Sequence, residues 1–236
     1  TKHTFTFIPH FNNKDHSLMM MGRFELNTGS SNGQSNGSKL LPGGSFTSPD
    51  AGGINTGLSS WYNEWRSMFF TYSAHYAYKS RYMFDFSLRA DGTSKFGPSK
   101  RWAYFPAVSL RWNIVDEPFM KVFRDHGLSM LSLRPSWGRV GVQPNQDYLY
   151  VRKFGTGSRY LDMSSMLPQN IRLTDLRMQN NTSYNLGVDV GLWDDRFTVT
   201  FEAYRTTITD MLLSNYRIPS STGFATLAYR NNGKMR

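Results

Sequence analysis

The chain contains no cysteine, which removes disulfides and thiolate metal sites and leaves the compartment undecided. It also lacks any long apolar run. Its greasiest stretch, Leu18-Met19-Met20-Met21, falls far short of the ~20 residues that a membrane-spanning helix needs. Strands are not excluded by this, because a transmembrane strand needs only ~9–11 residues and half of them face water. Histidine is sparse: His3, His10, His16, His75 and His126 are scattered without H-E-x-x-H spacing, and no G-x-S-x-G elbow occurs. Gly155-Thr156-Gly157-Ser158 is too short to cradle a phosphate, and Asp194-Asp195 reads as a solvated turn pair. No catalytic residue, metal site or cofactor is therefore expected, and the chain is not expected to be an enzyme. Acidic residues are few, 17 against 27 Lys and Arg, for a formal charge of +10. The basic stretches, such as Lys95 to Arg101, are broken by Gly and Pro, and no nucleic-acid recognition motif is present, so nucleic acid is not an expected partner. No signal peptide precedes Thr1-Lys2-His3, as expected of a mature form or a fragment.

What the chain has is alternation. In Ser183 to Tyr204, Tyr184, Leu186, Val188, Val190 and Leu192 occupy every second position. After Trp193-Asp194-Asp195 the pattern restarts as Phe197, Val199, Phe201 and Ala203. The same period of two predicts eight strands in all. The other six are expected at about His3–Phe11, His16–Leu26, Trp65–Tyr78, Arg81–Ala90, Arg101–Asn113 and Ser129–Gly141. Short turns (Asn12–Asp15, Tyr78–Arg81, Trp193–Arg196) alternate with longer connections (Thr28–Ser60, Asp91–Lys100, Val142–Asn181). The segment Val115–Leu128 is intermediate in length and holds "DEPFMKVF", a candidate short helix. Outer-membrane barrels sort their loops in this manner, short on the periplasmic side and long outside.

Two further features favour lipid against the apolar faces. Trp102 and Trp112 share a face ten residues apart, which at ~3.3 Å per residue and a tilt near ~40° projects to about 25 Å, the height of a barrel's apolar band. Tyrosine recurs on the same face as Tyr72, Tyr76, Tyr78, Tyr82, Tyr104 and Tyr184; a hydroxyl near headgroups finds water, whereas one buried between sheets needs a partner. Trp102, Trp112, Tyr82 and Tyr184 are the expected membrane girdle. The expected fold class is thus all-β, an antiparallel transmembrane β-barrel segment. An open sheet of eight strands would leave unpaired edges in hydrocarbon, and both ends of the chain would lie on the long-loop side. An internal fragment of a larger barrel is therefore expected.

The stretch "RYMFDFSLRADGTSKFGPSKRWAYFPAVSLRWNIVDEPFM", Arg81 to Met120, resembles the SusC/RagA family of TonB-dependent outer-membrane transporters. The resemblance rests on Arg89, Asp91, Gly92, Ser94, Phe96 and Gly97, then Trp102, Tyr104, Phe105, Pro106, Val108, Ser109 and Trp112, then Glu117, Phe119 and Met120. Thr93, Lys95, Ala103 and Ala107 depart mildly from the family pattern. Downstream, "LSLRPSWGRVGVQ", "YNLGVDVGLWDDRFTVTFEAYRTTITDML" and "NNGKMR" also fit, with Val142 where Asn is usual. The resemblance implies that residues 1–236 are part of a barrel of about 22 strands whose plug domain lies elsewhere. It further implies multi-pass residence in the outer membrane of a Gram-negative, Bacteroidetes-like bacterium, among outer-membrane lipid and lipopolysaccharide. A glycan or peptide substrate, a SusD-like surface lipoprotein lid, and TonB engaged through the missing N-terminal part complete that expectation.

Long extracellular loops are expected at about 28–60 and 142–181. Their aromatics Trp61, Tyr62, Tyr148, Tyr150, Phe154 and Tyr160 are the ligand-binding candidates, since rings stack on sugar faces and binding residues concentrate on loops; loop packing or lid contact is the competing role. Asp85, Arg89, Arg111, Arg134, Asp189 and Glu202 are expected on the lumen wall, as an ion-pair network that holds the plug or as a substrate path. Two other architectures stay open at this point: a self-contained small outer-membrane barrel or adhesin, and a secreted carbohydrate-binding β-sandwich.

Overall fold

Residues 1–40, 53–161 and 163–236 are described by the computed structural model, without the side chains of 158–160 and 164. The strands are β1 (Lys2–Phe7), β2 (His16–Lys39), β3 (Ile54–Tyr78), β4 (Tyr82–Thr93), β5 (Trp102–Asn113), β6 (Leu128–Val142), β7 (Phe154–Tyr160), β8 (Met163–Pro168), β9 (Gln179–Leu192), β10 (Phe197–Thr209), β11 (Leu212–Arg217), β12 (Thr226–Asn231) and β13 (Lys234–Met235). One short helix, α1 (Lys121–Asp125), follows two single 3-10 turns between β5 and β6, where "DEPFMKVF" predicts it. A single sheet runs β1-β2-β3-β4-β5-β6-β9-β10-β13, and β7–β8 and β11–β12 form separate two-stranded ribbons. All eight strands expected from alternation are present in it, each paired antiparallel with its neighbour.

The register sorts side chains to two faces. One row reads Tyr78, Tyr82, Trp112, Leu133, Val188 and Phe201 across six strands. A row on the opposite face reads His75, Asp85, Ser109, Ser136, Asn185 and Tyr204. Since side chains alternate along each strand, the first row belongs to a continuous apolar face and the second to a polar one. No second layer of described residues covers the apolar face: Phe70, Phe84, Leu110, Leu186 and Phe201 are all exposed. That excludes the β-sandwich, which would bury this face against a second sheet.

The buried apolar cluster lies at the long-loop end instead. Phe96 after β4, Phe105 on the polar face of β5, and Leu149, Leu176 and Met178 from the β6–β9 connection pack together, with Leu212, Ala228 and Tyr229 against them. Gly141 makes room for this: a Cβ there would collide with the Phe105 ring. At the opposite end the turns are tight. Trp193, Asp194 and Asp195 all take positive φ, a region that Asp tolerates and Trp rarely adopts. The Asp195 N–H and carboxylate both bond Ser129 Oγ on β6, at 3.1 and 2.7 Å, which holds the turn against its neighbour.

Three expectations change. β1 stops at Phe7 rather than Phe11, because Pro9 has no N–H to continue the ladder. The stretch expected as a loop over 28–60 is largely ladder: β2 continues to Lys39 and β3 already begins at Ile54, paired from Thr28↔Arg66 outward to Lys39↔Ile54. Residues 41–52 lie outside the described residues. The extension escapes a search for alternation because its β2 half is polar on both faces, while its backbone hydrogen bonds need no apolar face. The connection expected over 142–181 likewise contains β7–β8, and β9 starts at Gln179.

Candidate functional site

The polar face concentrates charge on three strands. Ser132, Asp189 and Thr200 lie in one row across β6, β9 and β10. Asp189, nearly buried, accepts hydrogen bonds from Ser132 Oγ at 2.9 Å, Thr200 Oγ1 at 3.1 Å and Arg134 Nη2 at 2.8 Å. Arg134 Nη2 also reaches Glu202 Oε1 at 3.3 Å. Arg134 sits directly opposite Gly187, and a Cβ on that glycine would come within 3.2 Å of the guanidinium. The missing side chain lets Arg134 lean diagonally onto Asp189. Arg134, Asp189 and Glu202 are thus brought together.

The other polar-face candidates bond elsewhere, although the register sets Arg111 across from Arg134. Asp85 bonds His75 Nδ1 across β3–β4 and accepts from Ser109 Oγ at 3.1 Å across β4–β5. Arg89 pairs with Asp91 on its own strand and covers the Phe69 ring at 4.7 Å. Arg111 bonds Asn113 at 3.2 Å, also within its strand. A row of small residues, Ser73, Ser87, Ala107, Gly138, Ser183 and Thr206, crosses the wall between the row of Asp85 and that of Arg89. Among the described residues no group of three or more His, Cys, Asp or Glu could hold a metal ion.

The four aromatics expected as a girdle stand on the apolar face. At the short-turn end Tyr82 stacks between Tyr78 and Trp112, ring centroids 6.3 Å apart in each pair. Glu117, nearly buried just after β5, accepts from the Tyr82 hydroxyl and from Trp112 Nε1 at 3.2 Å, with Arg81 Nη1 3.7 Å away. The Tyr82 hydrogen bond foremost, then that of Trp112, holds the Glu117 carboxyl below the usual range, with Arg81 assisting against the opposing pull of burial. Trp102 stands at the other end of β5 and stacks on Phe70, 6.0 Å away. Tyr184 is exposed.

The loop aromatics divide. Trp61 and Tyr62 are exposed on the β2–β3 ribbon and Phe154 is exposed on β7. Tyr148 and Tyr150 instead pack the loops together. The Tyr148 hydroxyl accepts the Glu64 N–H at 2.9 Å, closing the free edge of β3 beyond its pairing with β4, and Tyr150 lies beneath Arg101 at 5.8 Å. The Tyr160 side chain lies outside the described residues. Near Tyr148, Arg66 bonds Glu64 at 2.6 Å and holds that carboxyl low, and the Glu64 charge pushes the Tyr62 hydroxyl up.

Sequence reasoning missed His75, Ser132, Thr200 and Glu117 as partners. His75 was accessible in principle: with Tyr78 opposite Tyr82, counting back along the hairpin sets His75 opposite Asp85. Glu117 was not, since no strand pattern covers the segment that carries it.

The description "TonB dependent receptor-like, beta-barrel" matches residues 3–236. A TonB-dependent receptor of Formosa agariphila is 34% identical over 152 residues, covering 64% of this chain and 14% of its own length. The TonB-dependent receptor SusC of Bacteroides thetaiotaomicron is 31% identical over 169 residues, covering 68% of this chain and 16% of its own. The solved RagAB peptide transporter superposes with a TM-score of 0.81 at 20% identity, over 99% of this chain and 26% of that one, and shares its fold. The chain therefore spans only about a sixth of the length of those two relatives. TonB-dependent receptors of this type are outer-membrane β-barrel proteins, which accounts for an open sheet with one uncovered apolar face. The chain belongs to the TonB-dependent receptor β-barrel family, as a transmembrane barrel segment of the SusC/RagA kind.

Proposed function

We propose that this chain forms part of the wall and the extracellular loops of an outer-membrane importer that takes up glycans or peptides with energy relayed by TonB. The observation that carries the reading is the two-sidedness of the sheet, apolar and uncovered on one flank and polar with a built ion network on the other. In this reading Trp102, Trp112, Tyr82 and Tyr184 sit at the two membrane–water interfaces, where amphipathic rings are favoured. Asp85, Arg89, Arg111, Arg134, Asp189 and Glu202 line the interior and meet the plug. Trp61, Tyr62 and Phe154 contact ligand at the mouth, while Tyr148 and Tyr150 shape the loops around it. A SusD-like lipoprotein lid covers the mouth, and the whole protein resides, multi-pass, among lipid and lipopolysaccharide in a Bacteroidetes-like outer membrane. TonB acts through a part of the protein outside this chain.

The test is uptake of fluorescent oligosaccharides and oligopeptides by cells carrying or lacking the whole transporter gene, each with and without TonB. Import that requires both supports the proposal. Uptake unaffected by deleting the transporter overturns it.

A further inference from the structure

The β2–β3 ribbon carries an arrangement that its sequence does not advertise. On one face the register sets Trp65 opposite Gly29, Asn63 opposite Ser31, and Trp61 opposite Gly33. A Cβ built on Gly29 would lie 2.6–2.7 Å from three atoms of the Trp65 indole, and one on Gly33 would lie 2.5–2.9 Å from three atoms of the Trp61 indole. Three ring atoms at nearly equal distance mean that each ring lies with its face over the opposing glycine, where only a glycine leaves room. Trp61 is nonetheless 53% exposed. Cover for the backbone explains the seat of the ring; it leaves the ring's outer surface bare.

Three properties of this face select a ligand. Its rings are four residues apart on a rigid ladder, about 13 Å, with the Ser31 hydroxyl and Asn63 amide between them. The rows that carry the rings hold no ionisable side chain: Asn27, Gly29, Ser31, Gly33, Ser35 and Gly37 oppose Ser67, Trp65, Asn63, Trp61, Ser59 and Gly57, the carboxylate of Glu25 lies one row below and is engaged by Asn27 at 2.8 Å, and Glu64 and Arg66 occupy alternate positions pointing away. By the same alternation the face continues the polar wall, since Ser67 pairs with Thr93 on the Asp91 side of β4. A flat aromatic, a pair of hydrogen-bonding side chains and a second flat aromatic, with no charge, suit a chain of neutral rings that have apolar faces and hydroxyl rims.

The geometry points to Trp61 and Trp65, seated on Gly33 and Gly29, as a stacking rail for an uncharged oligosaccharide entering the mouth. This rests on the importer proposed above and narrows its substrate to the glycan class. The rail favours several linked rings over one, because a single ring cannot span both indoles.

The experiment is isothermal titration of the whole purified transporter, with its lid where one co-purifies. The probes are maltohexaose, cellohexaose, laminarihexaose and mannohexaose, the matching monosaccharides, and a hexaserine peptide. At least one hexasaccharide is expected to bind, its monosaccharide at least tenfold more weakly and the peptide not at all. Trp61→Ala with Trp65→Ala should weaken the hexasaccharide tenfold or more, and Trp61→Phe should retain part of the binding. Gly33→Ala, which keeps both indoles and unseats one, should also weaken it. Hydrogen exchange of the β2–β3 amides, unchanged in the tryptophan variants, separates lost stacking from a lost ribbon. Hexasaccharide binding that survives both tryptophan changes overturns the rail while leaving a glycan importer standing. Binding of hexaserine alone, or of no probe, overturns the rail and the glycan class together, and TonB-dependent cell uptake then decides separately whether the importer reading survives.

Discussion

Arg134 on β6 holds Asp189 on β9 by a hydrogen bond from Nη2 to Oδ1 at 2.8 Å, with its Nε in ion-pair contact 2.8 Å from Oδ2. Asp189 is 7% exposed, so loss of Arg134 would leave a desolvated carboxylate with no countercharge and only the Ser132 and Thr200 hydroxyls as donors. Arg134→Ala is expected to destabilise by about 1–3 kcal/mol, less than a fully buried pair because Arg134 stays partly open to solvent. Arg134→Ala combined with Asp189→Asn should recover part of that loss. Urea unfolding of the transporter refolded into lipid vesicles measures these and Asp189→Asn alone, and a double variant whose loss equals the sum of the two single losses would show that the pair is not coupled.

Leu186 stands mid-strand on the uncovered face, and its neighbour Asn185 faces the polar side. Leu186→Arg should destabilise by ~2–4 kcal/mol, the cost of a cation near the bilayer midplane. Asn185→Arg should be far milder. Vesicle-folding titrations compare them directly, and equal losses would refute the assignment of faces.

Glu117 ties the β5–β6 segment to Tyr82 and Trp112. Its folded pKa is depressed, chiefly by the Tyr82 hydrogen bond, so its contribution is fully present above the ordinary glutamate value of about 4.3 and is lost as pH falls through the folded value. Protection of the 114–128 amides from hydrogen exchange should drop on acidification below about that pH. In Glu117→Gln the protection should be lower throughout and lack that acid limb. An identical acid limb in the variant would assign the effect to another group.

Gly141 admits the Phe105 ring to the buried cluster at the loop end. Gly141→Ala should push that ring out and cost about 1–3 kcal/mol locally, as overpacking does. Limited proteolysis within 142–178 should accelerate. Unchanged cleavage would mean that the cluster tolerates a displaced Phe105.

The eight sheet strands were legible because water and hydrocarbon, or water and a filled interior, impose a period of two on every strand between Lys2 and Thr209 that crosses between them. The apolar rows of β4, β5, β9 and β10 needed no structure to be found. Outside that zone the rule lapses: the β2 half of the β2–β3 extension is polar on both faces, so Thr28 to Lys39 reads as loop even though its backbone is laddered to β3. Composition distinguishes solvated from unsolvated faces; it is silent about hydrogen bonds between main chains.

Site residues followed the same division. Which face Arg134, Asp189 and Glu202 occupy was settled by parity along the chain. That Arg134 reaches Asp189 diagonally, past a glycine, while Arg111 keeps to its own strand, depended on register between strands far apart in sequence. The seating of Trp61 on Gly33 and the closure of the β3 edge by Tyr148 depended likewise on which residues meet. Alternation is a local consequence of strand geometry and survives in a single sequence. Contact is a consequence of pairing, and pairing adds an offset between strands that no strand carries by itself.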